Sequence, residues 1–252
     1  MLITADWPAP PEVLAFTSTR QGGISTGACQ GFNLGDHVGD APAAVQANRA
    51  ALQALLPAGT RLSWLQQCHG IEVVEACGQG PVPTADASWT ARPGIACAIM
   101  TADCLPVLLC DRAGSVVAAA HAGWRGLQAG ILEATVKALP VVPGELLAWL
   151  GPAIGPDAFE VGAEVRAAFC DVAGSARAEI AACFRPSPLA GHYLADLYAL
   201  ARLRLRQAGV TAVYGGGLCT FGDAARFYSY RRDGQTGRMA TLIQLKATPV
   251  SR

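Results

Sequence analysis

Charge is scarce in this chain. Only 15% of its 252 residues are Asp, Glu, Lys or Arg, and nineteen basic residues balance nineteen acidic ones. A surface without a basic field attracts neither nucleic acid nor an anionic membrane, so neither is expected as a partner. An anionic substrate must then be held by a few placed arginines. No CxxC pair occurs among the nine cysteines, which are scattered and odd in number. Several, such as Cys97 and Cys110, sit in apolar runs, where a free cysteine behaves as a small hydrophobe. This pattern argues against a disulfide framework and fits a reducing cytoplasm. No basic segment followed by a long apolar run opens the chain, and no stretch is apolar for long enough to span a bilayer, so a cytoplasmic protein without a signal peptide is expected. Repeats, low-complexity tracts and clear linkers are absent too. With 52% hydrophobic residues the chain can bury a sizeable core, and residues 1–252 read as one domain.

Hydrophobic period and turn punctuation predict strands over residues 13–19, 61–66, 71–76, 95–101, 107–111, 115–120, 146–150, 210–214 and 239–245. Helices are predicted over 43–56, 127–139, 161–169 and 196–208, and residues 81–93 read as turn-rich. Strands and helices mix throughout, with hairpin-length gaps in the middle. The expected fold is α/β (α+β), a single-domain layered sandwich with mixed β-sheets flanked by helices, rather than a regular doubly wound sheet.

Three runs of polar and glycine residues interrupt apolar sequence: Gln66-Gln67-Cys68-His69-Gly70, Thr101-Ala102-Asp103-Cys104-Leu105-Pro106, and Ala120-His121-Ala122-Gly123-Trp124-Arg125-Gly126. Two imidazoles and one thiolate, His69, Cys104 and His121, make a zinc set with one position left for water or substrate. The gaps between them are long, so the case rests on context. Two of only four histidines lie in glycine-flanked turns after apolar strands. A ligand histidine gives its second ring nitrogen to a carboxylate or carbonyl, and Asp103 or Asp86 suits that role. The same residues allow a rival chemistry, with Cys104 as nucleophile and His121 as base of a cysteine hydrolase. A zinc thiolate and a catalytic thiolate want the same neighbours, so both readings stand here.

Thr19-Arg20-Gln21-Gly22-Gly23 combines a strand end, an arginine and a double glycine, which suits either a phosphate contact or a plain turn. The segment Gly31-Phe32-Asn33-Leu34-Gly35-Asp36-His37 can line the same pocket. His37 and His192 read as surface or supporting histidines. In Phe227-Tyr228-Ser229-Tyr230-Arg231-Arg232, aromatics beside arginines suit stacking on a flat base, or equally a solvated basic turn over a core tyrosine. Gly215-Gly216-Gly217 reads as conformational freedom, since no helix follows it.

These motifs resemble the YfiH-like family, described variously as laccase-domain, polyphenol oxidoreductase and purine nucleoside phosphorylase proteins. The residues that carry the resemblance are TSTRQGGIS, NLGDHVGD, QQCHG, TADCLPVLL, HAGWRG, LGPAIG, FEVG, LADL and FYSYRRDGQTGR, spread from about residue 15 to residue 245. The resemblance implies a single-domain α/β sandwich and one zinc on His69, Cys104 and His121. It implies phosphorolysis of adenosine, inosine and S-methyl-5′-thioadenosine, with adenosine deamination beside it. The family often has Gln-Val-His where this chain has Gln67-Cys68-His69, so Cys68 adds a second thiol near the metal. A four-copper laccase needs a histidine-rich cluster, which four histidines cannot build, although a single Cu2+ in place of Zn2+ allows weak phenol oxidation.

On this reading zinc lowers the pKa of water for deamination. Phosphorolysis brings phosphate to the ribose C1′ while the base leaves. Arg20 is the expected phosphate residue, with Arg231 in reserve. Asp103 or Asp86 is expected to move a proton or orient a ligand, and Trp124 and Tyr230 to stack on the base. Asn33, Gln67, Asp86 and Arg125 are expected along the substrate. The partners are then a purine nucleoside and phosphate, and the chain is expected to be a monomer or weak homodimer.

Overall fold

The computed structural model describes residues 2–247. Two mixed sheets stack face to face and helices cover both outer faces, so the expected layered α/β sandwich is the fold. The five-stranded sheet runs in the order Leu2–Thr4, Val13–Ser18, Met239–Leu245, Ile95–Thr101, Arg61–Ser63. The six-stranded sheet runs Ala212–Gly215, Leu146–Leu150, Leu105–Asp111, Val117–Ala122, Ala87–Thr90, Val73–Glu75. Three short strands, Glu160–Gly162, His192–Ala195 and Phe184–Pro186, make a separate antiparallel sheet.

Alternation along each strand decides which layer a side chain meets. Ile95, Cys97 and Ile99 point between the sheets, where they meet Leu108, Cys110, Val117, Ala119 and Trp149. Ala96 and Ala98 point outward, against Phe32, Leu34 and Leu52 beneath the helix Pro42–Ala54. Leu105, Val107, Leu109, Ala118 and Ala120 face the other outer layer, which Ile131, Val136, Leu200 and Leu205 cover. Burying each such leucine or isoleucine contributes about 1.5–3 kcal/mol. Ile95–Thr101 and Leu105–Asp111 are buried along their whole length, which is why they read as continuous apolar runs rather than as alternation.

The differences from expectation have local causes. The turn-rich segment 81–93 contains the strand Ala87–Thr90, too short for a period to show but paired on both edges. The helix expected over 127–139 is two, Trp124–Ala129 and Ile131–Ala138, broken at Gly130, whose φ of 108° only glycine adopts cheaply. The helix expected over 161–169 begins as the strand Glu160–Gly162 and continues as the helix Ala163–Asp171. The helix Leu197–Gln207 starts where expected, capped by Asp196, whose carboxylate accepts from the Ala199 N–H at 2.9 Å.

One connection joins the two layers close to the motif residues. Ile95–Thr101 belongs to the five-stranded sheet and Leu105–Asp111 to the six-stranded one. The chain therefore crosses between the layers through Ala102, Asp103 and Cys104.

Candidate metal centre and its cleft

Neighbouring segments of the six-stranded sheet assemble the site at one end. The ladder pairs Ala87 with Ala120, so Asp86 stands opposite His121, whose N–H donates to the Asp86 carbonyl at 2.7 Å. On the other edge Pro106 pairs with His121 and Leu105 with Ala122, which brings Cys104 beside Gly123. His121 shares the parity of Val117 and Ala119, so its ring lies on the face turned to the other sheet. The 66–70 segment supplies the third residue. Arg61–Ser63 pairs with the strand Ile95–Thr101 only as far as Cys97. Beyond that point the Gln67 amide takes over, its Nε2 donating to the Met100 carbonyl and its Oε1 accepting from the Met100 N–H, both at 2.8 Å.

Asp86 organises this corner. It is wholly buried and accepts the backbone N–H groups of Cys68 (3.1 Å), His69 (2.9 Å) and Gly70 (2.7 Å). It also accepts from the Cys68 thiol at 3.2 Å and from His121 Nδ1 at 2.8 Å. Burial works against its charge, yet the hydrogen bonds from His121 and the Gly70 N–H hold the carboxyl well below the usual carboxylate range. With Nδ1 of His121 donating to a carboxylate, Nε2 is the nitrogen left to bind a metal.

The ligand atoms of His69, Cys104 and His121 all lie within 4.8 Å of one another, and among the described residues this is the one such cluster. Cys104 Sγ is 3.7 Å from His69 Nε2. A tetrahedral zinc with ordinary Zn–S and Zn–N bonds spans about 3.6 Å between sulfur and nitrogen, so the donor set fits the ion. The two rings meet edge to face at 4.7 Å. Burial opposes charge here too. Even so, His121 and His69 pull the Cys104 thiol below its ordinary range, while Cys104 and Asp86 push His121 above its own. A thiolate is therefore favoured, as metal ligation requires. The two non-glycine residues with positive φ among those described are His69 (62°) and Asp103 (86°), so backbone strain collects at this corner.

A cleft of about 500 Å³ opens over the cluster. It is lined by His69, Cys104 and His121 together with Gln67, Asp103, Trp124, Arg125, Tyr230 and Arg231, all of them sequence-predicted. Trp124 packs against the core, with the Arg125 guanidinium 4.5 Å from its ring centre. Arg231 stands 5.5 Å from the centre of the Phe159 ring and donates to the Glu160 carbonyl.

Other expected residues are placed elsewhere or otherwise employed. Asp103 lines the cleft, but its carboxylate accepts Thr220 Oγ1 (2.5 Å), Ser229 Oγ (3.0 Å) and the Arg231 N–H (2.7 Å). It ties the 220–231 segment to the sheet crossing, and of the two carboxylates it is Asp86 that orients a histidine. Asp86, in turn, is sealed from substrate. Asn33 is also buried, bonded to Gly35, Asp40 and the Arg238 N–H outside the cleft. Arg20, expected to hold phosphate, stands outside the cleft. Its guanidinium donates to the carbonyls of Ala224 and Gln30 and lies 4.7 Å from the Tyr228 ring centre, in a recess that shares no residue with the cleft. Cys68 Sγ turns to Asp86 and stands outside the ligand cluster. His192 lies in the small sheet, bonded to the Ala190 carbonyl.

Two residues of the quoted motifs receive no role from the sequence. Gly123 is one, and a Cβ there would sit 3.0 Å from both Cys104 Sγ and His69 Cδ2. Arg238 is the other. Met239 pairs with Thr101, so the residue before that strand enters the cleft beside the 102–104 crossing. The motif FYSYRRDGQTGR ends on this residue, and the strand register explains its place in the cleft.

Known proteins resemble this chain along nearly its whole length. Residues 14–246 match the family described as multi-copper polyphenol oxidoreductase laccase. A purine nucleoside phosphorylase of Pseudomonas aeruginosa is 59% identical over 244 residues, covering 97% of this chain and 98% of the relative. The purine nucleoside phosphorylase YfiH of Escherichia coli is 50% identical over 245 residues, covering 97% of this chain and 98% of that one. Among solved structures, a Neisseria meningitidis protein superposes with a TM-score of 0.92 at 53% identity, covering 98% of this chain and 99% of its own. YlmD of Geobacillus stearothermophilus does so at 0.86 and 30% identity, with 94% of each chain covered.

Proposed function

This chain belongs to the family described as multi-copper polyphenol oxidoreductase laccase, and on that premise we propose that it is a zinc-dependent purine nucleoside phosphorylase. Adenosine, inosine and S-methyl-5′-thioadenosine are its substrates on this reading, with adenosine deamination as a companion activity. The names of its relatives support the reaction class. The observation that carries the reading is the cluster of His69, Cys104 and His121 at the base of a cleft walled by Trp124, Tyr230 and arginines.

When bound, zinc supplies Lewis acidity and an activated water. The chain's own residues do the rest. His69, Cys104 and His121 hold the ion, and Asp86 keeps His121 in the ligating tautomer. Trp124 and Tyr230 offer flat faces for a purine. Gln67 holds the His69 loop to the Ile95–Thr101 strand. In phosphorolysis a phosphate oxygen bonds to the ribose C1′ as the C1′–N9 bond breaks, and the base leaves with the electron pair and takes up a proton. The cleft brings the reactants together and excludes competing water.

A copper polyphenol oxidase is the second reading, and the family's description favours it. Four histidines do not supply the ligands of a multi-copper cluster, and two of the four, His37 and His192, stand outside the ligand group. Elemental analysis of native protein with a nucleoside screen decides between the readings. The expected result is about one zinc per chain and release of free base and ribose 1-phosphate only when phosphate is present. Stoichiometric copper, with phenol oxidation and no phosphate-dependent nucleoside loss, would overturn it.

A further inference from the structure

We propose that the anionic co-substrate sits on Arg238, in a side chamber of the cleft completed by His37 and Thr236. This rests on the phosphorylase reading and adds to it the site for the oxyanion. The chamber, about 260 Å³, is lined by His37, Val38, Tyr230, Gln235, Thr236 and Arg238. His37, Tyr230 and Arg238 line the main cleft as well, so an anion held there faces the nucleoside space over His69, Cys104 and His121.

Arg238 is built for this task. Its backbone N–H donates to Asn33 Oδ1 at 2.8 Å, and Nη1 donates to the carbonyls of Thr236 (2.9 Å) and Gly237 (3.0 Å). Its stem lies on Gly35, where a Cβ would approach Arg238 Cγ to 2.7 Å. The half-buried guanidinium is thus held in place before any ligand arrives, and a pre-positioned fork loses little entropy when an oxyanion binds. No carboxylate forms an ion pair with Arg238 among the described residues, nor with Arg125 or Arg231 in the same cleft. Asp103 is the single acidic residue lining that cleft, and three donors already engage it. In a chain of zero net charge, this is a local positive field.

Thr236 supplies the second observation. Its hydroxyl is buried and has no hydrogen-bond partner, and buried polar groups rarely stay unpaired without a reason. His37 stands exposed at the rim with Nδ1 3.5 Å from the Asp36 carboxylate, which leaves Nε2 to face a ligand.

Two ligands share this chemistry: inorganic phosphate and the 5′-phosphate of a nucleotide. The proposal commits to inorganic phosphate, and the test separates them. Zinc-loaded full-length protein is titrated calorimetrically with phosphate and, separately, with inosine 5′-monophosphate. The kinetics of inosine cleavage are followed in parallel. Arg238→Gln should weaken phosphate binding and raise KM for phosphate by about tenfold or more, with KM for inosine within about threefold. Arg238→Lys keeps the charge and stem but loses the fork, so an intermediate loss is expected. It also carries the test if the glutamine variant does not fold. Arg20→Gln should bind phosphate as the wild type does. Unchanged phosphate binding in both Arg238 variants, or its loss in Arg20→Gln, would overturn the proposal. So would tight binding of the nucleotide with none of free phosphate. Phosphate binding that depends on Arg238 without cleavage of any nucleoside would leave the subsite standing and sink the phosphorylase reading alone.

Discussion

Two corners of this molecule look alike on paper and behave differently in space. Thr19-Arg20-Gln21-Gly22-Gly23 and His121-Ala122-Gly123-Trp124-Arg125-Gly126 each follow a strand and mix glycine with arginine. In the first, Gly22 and Gly23 have φ of 84° and 71°, and the turn closes on its own surroundings. A Cβ on Gly23 would lie 2.5 Å from the Gly31 carbonyl, and the next N–H, that of Ile24, donates to Asn48 Oδ1 at 3.0 Å. The arginine is absorbed by carbonyls and a tyrosine ring. In the second, the glycines clear room. Gly123 admits Cys104 and His69 beside His121, and Gly126 lets the helix start Trp124–Ala129 close over the Gly70 carbonyl. Glycine beside arginine is therefore ambiguous. Both corners border a recess of about 500 Å³, so what separates them is whether the donors are left free toward it or already engaged by one another.

The sharpest way to test that contrast is to remove a ligand. Cys104→Ala and His121→Ala should each lose the metal and at least about a thousandfold of activity, because three donors leave none to spare. Elemental analysis beside a circular-dichroism spectrum checks this. If both variants kept stoichiometric zinc, the assignment would be wrong. Alkylation of Cys104 that stays rapid with zinc present, with activity surviving chelation, would instead revive the cysteine-nucleophile reading.

A smaller effect is expected one bond further out. Asp86→Asn keeps the shape but loses the charge that binds three backbone N–H groups and orients His121. Metal affinity should fall about 10- to 100-fold, read by chelator competition. Removing one partner of a buried charged pair should also cost about 3 kcal/mol of stability. An unchanged affinity would mean that the sheet register alone positions the histidine.

The closed corner should respond weakly, and in stability rather than turnover. Arg20→Ala should leave KM for phosphate within about twofold and cost about 1 kcal/mol through the lost stacking on Tyr228. Nearby Asp40 accepts Ser25 Oγ (2.6 Å), Asn33 Nδ2 (2.8 Å) and the Ala41 N–H (2.8 Å). Burial opposes its charge, but these hydrogen bonds lower its pKa in the folded state. The unfolded chain then binds the proton more readily, so this contribution is full above the unfolded value of about 3.9 and fades as pH falls through the folded one. Thermal melts of Asp40→Asn across pH 3–7 should show the variant destabilised near neutrality and converging on wild type in acid. A constant gap would show that geometry, not ionisation, is responsible.

Much of the fold was legible along the chain. Ile95–Thr101, Leu146–Leu150 and Met239–Leu245 lie where they were expected, because strands buried on both faces are mostly apolar along their length. His69, Cys104 and His121 stood out because each interrupts such a run, and the structure brings their ligand atoms together. The short strand Ala87–Thr90 and the small sheet left no comparable trace, being stabilised by neighbours and not by any period of their own.

The sequence by itself determined the layers, the neutral surface and the identity of the donor residues, since burial pattern, charge and ligand chemistry are properties of residues in order. Only the tertiary structure decided which carboxylate, Asp86 or Asp103, orients His121, and which arginines line the cleft. Those choices depend on strand register and on where the chain crosses from one sheet to the other. Asp86 meets His121 across a ladder, and Arg238 enters the cleft because Met239 pairs with Thr101. Residues far apart in sequence become neighbours through backbone pairing, and no local pattern encodes which partner a strand will find.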